Sequence, residues 1–249
     1  MTARVLGMGW CTSAGMGRAR QDAASFAMRR GPVAVPSRRD LYSEPDQRFG
    51  RLDDFSKVGL AALTMALRDA GLDAWDAKRS VGIVAASAFG SLATDASYMS
   101  TVLETNPGME HGVSLASPHL FAFTLPNVFL GEAAIRFGLT GPMFAVGAPG
   151  GDDLTGVRQG MDLLADHECD LLLAGCCDLP APTSLDCPAL PEPLPGAVFL
   201  ALAAEGRPAP AACPEPLAAL DLDGERQILC NGLPARCMET LARLCLNPA

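Results

Sequence analysis

Short apolar runs divide the chain, at Arg4 to Trp10, Ser80 to Ser87, Met143 to Val146, Leu171 to Ala174 and Gly196 to Ala204. Runs of this length, bounded by Gly, Pro and polar residues, predict buried strands. Between Arg51 and Asp73 the pattern changes to a helical one. Phe55, Val58, Leu60, Ala62, Leu63, Ala66, Leu67 and Ala70 make a broad apolar face, and Gly71 is a fitting stop. Leu154, Val157, Met161, Leu164 and Ala165 predict a second helix at the same spacing. Residues 16–30 also read as helix, and the Phe89-Gly90-Ser91 turn leads into another helix that ends near Leu103. The stretches 31–50, Asn106 to Ser114 and the proline-dense Leu179 to Pro195 read as irregular. Near the end, Pro216 to Asp223 predicts one strand and Pro234 to Leu246 one helix. Strands alternating with helices place the chain in the α/β class.

The organising stretch runs from Gly141 to Asp178. Its apolar strand ends in a Pro-Gly-Gly turn at Pro149, Gly150 and Gly151, followed by Asp152, Asp153 and the second helix. Acids here suit the positive end of a helix, and both carboxylates are expected to cap it. Strand, tight turn and helix is also how many α/β enzymes present a nucleophile.

This stretch resembles the nucleophile region of the β-ketoacyl synthases, in the thiolase-like superfamily. That family reads Gly-Pro, an apolar strand, Ala-Cys-x-Ser-Gly, a helix, then Ala-Gly-Gly-x-Glu/Asp. Gly141-Pro142 and Ala174-Gly175-Cys176-Cys177-Asp178 fit the two ends without a gap. The positions between fall on Pro149 to Asp153, so Gly150 stands where the acyl-carrying cysteine would be. No change of register supplies one, since no cysteine lies between Cys11 and Cys169 and no serine between Ser117 and Ser184. Two further matches are Leu125-Pro126-Asn127, where synthases start a helix beside the active site, and an opening strand and turn carrying Gly7, Gly9 and Gly15. The bland reading of Asn127 is ordinary helix-start chemistry. The resemblance covers roughly residues 3–205. It implies a thiolase-like half-fold, a mixed β-sheet flanked by helices on both faces, with 1–205 as the synthase-like domain and 206–249 as a short remnant of one strand and one helix.

Composition narrows the functions. Residues 1–79 carry 13 Lys and Arg against 9 Asp and Glu, while the remainder carries 6 against 19. The acidic bulk disfavours nucleic acid and repels the acidic acyl carrier proteins that synthases dock. No apolar run approaches the roughly 18 residues of a membrane span. The apolar run after Arg4 is short for a signal peptide. Nine cysteines without a CxxC pair suit reduced thiols in a cytoplasm. Thr12 occupies the last glycine position of a dinucleotide fingerprint begun by Gly7 and Gly9, so no nucleotide cofactor is expected.

The remaining candidates are few. His111, His119 and His167 have no second ligand at zinc spacing, and no metal is expected; His119 alone is placed to line a ligand site. The family's two catalytic histidines belong to the half that would follow residue 204, and no histidine follows His167. Cys176 and Cys177 read either as small buried residues or as displaced nucleophiles, which would need a base or a helix N-terminus beside them. Cys213, Cys230, Cys237 and Cys245 fit no common zinc spacing. The candidate pocket or vestigial site is therefore Pro149, Gly150, Gly151, Asp152, His119, Asn127, Cys176 and Cys177. In a complete synthase two sheets sandwich the central helices. The 154–165 helix would then present an apolar face that needs a cover, which points to a homodimer or to a heterodimer with a synthase-type subunit. The expected function is a non-catalytic, chain-length-factor-like partner in fatty-acid or polyketide metabolism, with an acyl chain or carrier protein as possible ligand. The alternatives are a condensing enzyme or acyltransferase using another group or a partner's site, and an acyl-binding or scaffolding module.

Overall fold

The computed structural model describes residues 2–103, 115–181, 193–207 and 210–247. The first strand, β1 (Thr2–Thr12), runs on into a tight turn and β2 (Gly15–Arg18), which folds back antiparallel on it. Gly7 and Gly9 are not part of a turn. They lie within β1 where a helix crosses it, and a Cβ on Gly9 would fall 2.1 Å from the Ala66 amide nitrogen. The expected helix over 16–30 reduces to α1 (Ala19–Asp22) and one 3-10 turn at Ala23–Ser25. The hairpin takes the first of those residues, and Phe26 turns inward to meet Trp10 edge-on at 5.1 Å. A short α2 (Arg38–Leu41) interrupts the following loop.

Next comes α3 (Asp54–Asp69), capped by the Asp53 carboxylate, which accepts the Ser56 N–H at 3.0 Å. At its far end, buried Asp69 accepts N–H groups from Met8 and Arg20, tying the helix to β1 and α1. The chain continues through β3 (Val81–Ser87), α4 (Leu92–Leu103), α5 (Pro118–Phe121), α6 (Val128–Phe137) and β4 (Met143–Gly147). Then follow α7 (Thr155–Ala165), β5 (Leu171–Asp178) and β6 (Gly196–Ala204). The last segment contains β7 (Ala218–Leu222), β8 (Ile228–Cys230), β9 (Leu233–Ala235) and α8 (Met238–Leu246). It thus holds three strands and a helix, where one strand and one helix were expected. Pro234 lies in an edge strand, where its missing N–H removes no ladder bond, and α8 starts four residues beyond it.

Among the described residues nine strands form one sheet, in the order β4-β3-β5-β6-β1-β7-β8-β9, with β2 on β1. The β4, β3 and β5 strands are parallel, and all other pairings are antiparallel. Successive side chains leave a strand on opposite faces. Ile83, Leu173 and Phe199 accordingly pack with α3 and α6, while Val84, Leu172 and Leu200 pack with α7 and α8. Cover on both faces explains why β3, β5 and β6 are apolar up to their last residues rather than alternating.

The α7 helix needs no second sheet. Leu154, Val157, Met161 and Leu164 are all buried on this sheet, and the outward positions include Arg158, Gln159 and Asp162. Arg226, in the β7–β8 turn, holds the Asp162 carboxylate with two bonds of 3.1 and 2.7 Å, and its carbonyl accepts from Arg158. An uncovered apolar face on this helix is therefore not a reason for the chain to associate.

Candidate functional site

The β4 strand ends at Gly147, and a turn at Pro149–Gly151 joins it toward α7. The Ala148 N–H donates to the Ser87 carbonyl at 2.8 Å, fixing the turn against the end of β3. Gly150 has φ +77°, a left-handed conformation that favours glycine. A Cβ built on it would meet nothing within 4 Å, so the position opens into free space.

The two acids after the turn do not cap α7, whose N-cap residue is Leu154 with no side-chain acceptor. Asp152 pairs with Arg158 at 2.6 Å and accepts the Leu154 N–H at 3.3 Å. Asp153 instead accepts the Met238 N–H at 2.9 Å and so caps α8. Burial, reinforced by the charges of Asp152 and Asp178, pushes the Asp153 carboxyl up to about 6. The α8 helix thereby docks its N-terminus beside the first turn of α7.

Behind the turn, Cys176 and Cys177 are neighbours on β5 that face opposite ways, Cys176 toward α7 and α8 and Cys177 toward α3. Both are buried. Burial, and then the nearby Asp153 and Asp178 charges, hold the Cys176 thiol well above the usual range; burial and Asp178 do the same for Cys177. Thiols in such surroundings stay protonated and are poor nucleophiles. Asn127 immediately precedes α6, but its side chain makes no capping bond; its backbone carbonyl accepts the Leu130 N–H at 3.1 Å. His119 is exposed on α5, edge-on to Phe123 at 5.2 Å. His111 lies outside the described residues. The structure thus groups Pro149, Gly150, Gly151 and Asp152 at one turn with Cys176 behind them, and places Cys177, Asn127 and His119 elsewhere.

Two features went unread in the sequence. One is a 370 Å³ cleft between the starts of α3 and α4 and the end of β5, lined by Asp53, Phe55, Phe89, Ser91, Thr94 and Leu179. The Asp53 carboxylate that caps α3 also accepts the Thr94 hydroxyl at 2.6 Å, closing one wall of it. The other is the role of Asp178. Its buried carboxylate accepts the Ser87 hydroxyl at 2.8 Å, the Ala88 N–H at 3.0 Å and the Phe89 N–H at 2.9 Å. Ser87 Oγ in turn accepts the Gly90 N–H at 2.7 Å. This one side chain shapes the turn that leads into α4 and forms part of the cleft wall.

The sequence pattern of the β-ketoacyl synthase N-terminal domain matches residues 39–184, well over half of the chain. This chain belongs to the β-ketoacyl synthase family. The match spans α3, the cleft, the Pro149–Gly151 turn and β5, a narrower range than the 3–205 expected. A protein of Streptomyces halstedii named as a polyketide β-ketoacyl synthase is 29% identical over 147 residues, which make up 57% of this chain and 34% of that protein. Among solved structures, the ishigamide ketosynthase/chain length factor matches with a TM-score of 0.63 at 17% identity, over 88% of this chain and 62% of that one. A type II polyketide acyl-carrier protein in complex with its hexaketide-bound ketosynthase matches with a TM-score of 0.58 at 16% identity, over 88% of this chain and 61% of that one. These likenesses establish the thiolase-like fold of the synthase. The chain spans about a third of the curated relative (34%) and about three fifths of these two solved chains (62% and 61%). Among the described residues, no helix is long and apolar enough to cross a membrane.

Proposed function

We propose that this family member does not itself condense acyl chains, and works as a non-catalytic subunit beside a synthase-type partner in polyketide or fatty-acid assembly. The observation that carries this reading is the turn at the start of α7, which presents Gly150 and Asp152 where the family resemblance expects a cysteine and a serine. On β5 behind it, the Cys176 thiol is buried and held well above its usual pKa. A carboxylate has nothing to activate at Gly150, and burial and then the Asp153 and Asp178 charges raise the Cys176 thiol rather than lower it. The acidic bulk of residues 80–249 adds that an acidic carrier protein is better received by the partner than by this chain.

Support for a partner comes from the end of the sheet. Among the described residues β4 pairs with β3 alone, and Met143, Phe144, Ala145 and Val146 are all half-buried along it. An apolar edge with no charged residue invites another strand. The pairing is therefore assigned to β4, and not to α7. One of the similar structures is a ketosynthase with a chain length factor, and a role of that kind suits this chain.

Light scattering tests the assembly. The chain alone is expected well above its 25.9 kDa mass, and a co-expressed ketosynthase-type protein is expected to co-elute with it. Condensation in the mixture should vanish when the partner's own nucleophile is changed to alanine. A mass of 25.9 kDa both alone and in the mixture, or turnover that survives the partner's alanine variant, would overturn the proposal.

A further inference from the structure

Outside the family match, the C-terminal segment carries a feature that the proposed function does not use. Among the described residues eight cysteines are free thiols, and two of them touch. Cys230 closes β8 and Cys245 sits in the last turn of α8, with their sulfurs 3.8 Å apart. Both side chains are buried. The other thiols are placed differently: Cys176 and Cys177 point to opposite faces, and Cys237 meets the Thr240 hydroxyl at 3.2 Å.

We propose that Cys230 and Cys245 are an oxidisable pair that closes into a disulfide and clamps α8 to the C-terminal strands. A disulfide holds its sulfurs at about 2.05 Å, so each sulfur must move by roughly 1 Å, a shift within the range of side-chain rotation. The strand beside Cys230 is β9, three residues at the sheet edge, and Leu233 and Pro234 on it are exposed. Short edge strands and helix ends open locally at low cost, which admits a small oxidant to a pair that is buried in the closed state.

The chemistry is thiol–disulfide exchange with a small disulfide such as oxidised glutathione. One cysteine, as thiolate, attacks a sulfur of the oxidant, forming a mixed disulfide and releasing one reduced glutathione. The second cysteine, having lost its proton, attacks the protein sulfur of that mixed disulfide and displaces the other glutathione. Two protein thiols have then given up two electrons, and one oxidised glutathione has become two reduced molecules. The link fixes α8, whose Met238 N–H holds Asp153 beside the first turn of α7. Oxidation of a remote pair would thereby hold the N-terminus of α8 against Asp153, at the start of α7.

The test uses the full chain, incubated natively with oxidised glutathione, alkylated, digested and mapped by mass spectrometry. The expected result is a peptide pair joined through Cys230 and Cys245, with the oxidised chain melting about 5 °C or more above the reduced one. Cys230→Ser and Cys245→Ser should each abolish the link and the shift, while Cys237→Ser should keep both. Mapping on the unaltered chain decides the question even if a serine variant fails to fold. Links through Cys213 or Cys237 instead, a pair that stays reduced until the chain is unfolded, or a link without a rise in melting temperature would each overturn the proposal.

Discussion

Asp178→Ala should lower the melting temperature by about 10 °C, the largest loss expected from any single truncation near the site. The carboxylate is buried and satisfies one hydroxyl and two backbone N–H groups of the Ser87–Phe89 turn. Removing it leaves those half-buried or buried donors without their protein acceptor, at about 1–3 kcal/mol each. They share one turn that can relax, so the sum is set at about 3–5 kcal/mol rather than the full addition. For a chain of this size each kcal/mol is worth about 2–4 °C. Asp178→Asn retains one acceptor oxygen and should lose less than half as much. Thermal unfolding followed by circular dichroism measures both, and a loss below about 2 °C for the alanine variant would refute the anchoring role.

The second large effect runs the other way. Asp153→Asn should stabilise the protein at pH 8 and leave it unchanged at pH 4. The Asp153 carboxyl, ordinarily at 3.8, is pushed up to about 6 in the fold, chiefly by burial. A group with a raised folded pKa binds its proton more tightly when folded, so between those two values stability falls as pH rises. Above about pH 6 the charged form costs the fold roughly 3 kcal/mol at most. Asparagine keeps an oxygen for the Met238 N–H and carries no charge. The expected gain at pH 8 is about 2 kcal/mol, or several degrees. It should shrink through pH 6 and disappear at pH 4, where the native carboxyl is itself neutral. A variant that melts lower than the parent at pH 8 would show that the attraction of the Asp153 charge to the N-terminus of α8 outweighs the cost of its burial.

The sequence spoke clearly where local pattern and tertiary environment agree. The apolar runs at β3, β5 and β6, and the 3.6-residue face of α3 between Asp53 and Gly71, appear in the structure within a few residues of their reading. Residues 16–30 misled because Ala19, Ala23, Phe26 and Ala27 mimic helical spacing, while the chain gains more by pairing Gly15–Arg18 with β1 and burying Phe26 on Trp10. The β8–β9 hairpin was legible and missed. Asn231 and Gly232 join its strands with φ of 50° and 80°, the primed turn that Asn-Gly favours. Other features were out of reach. Asp153 caps a helix whose first residue lies 85 positions later, and Asp178 holds a turn about 90 positions earlier. No local spacing encodes either contact.

The central claim is that this synthase-like chain has no working nucleophile. Intact-mass spectrometry after incubation of the purified chain with an acyl thioester tests it most directly. The account predicts no acyl adduct at the Pro149–Gly151 turn or on β5 at any time point, because Gly150 offers no side chain and Cys176 and Cys177 are buried, protonated thiols. An acyl adduct that forms at substrate-like concentrations and maps to Cys176 or Cys177 would contradict it.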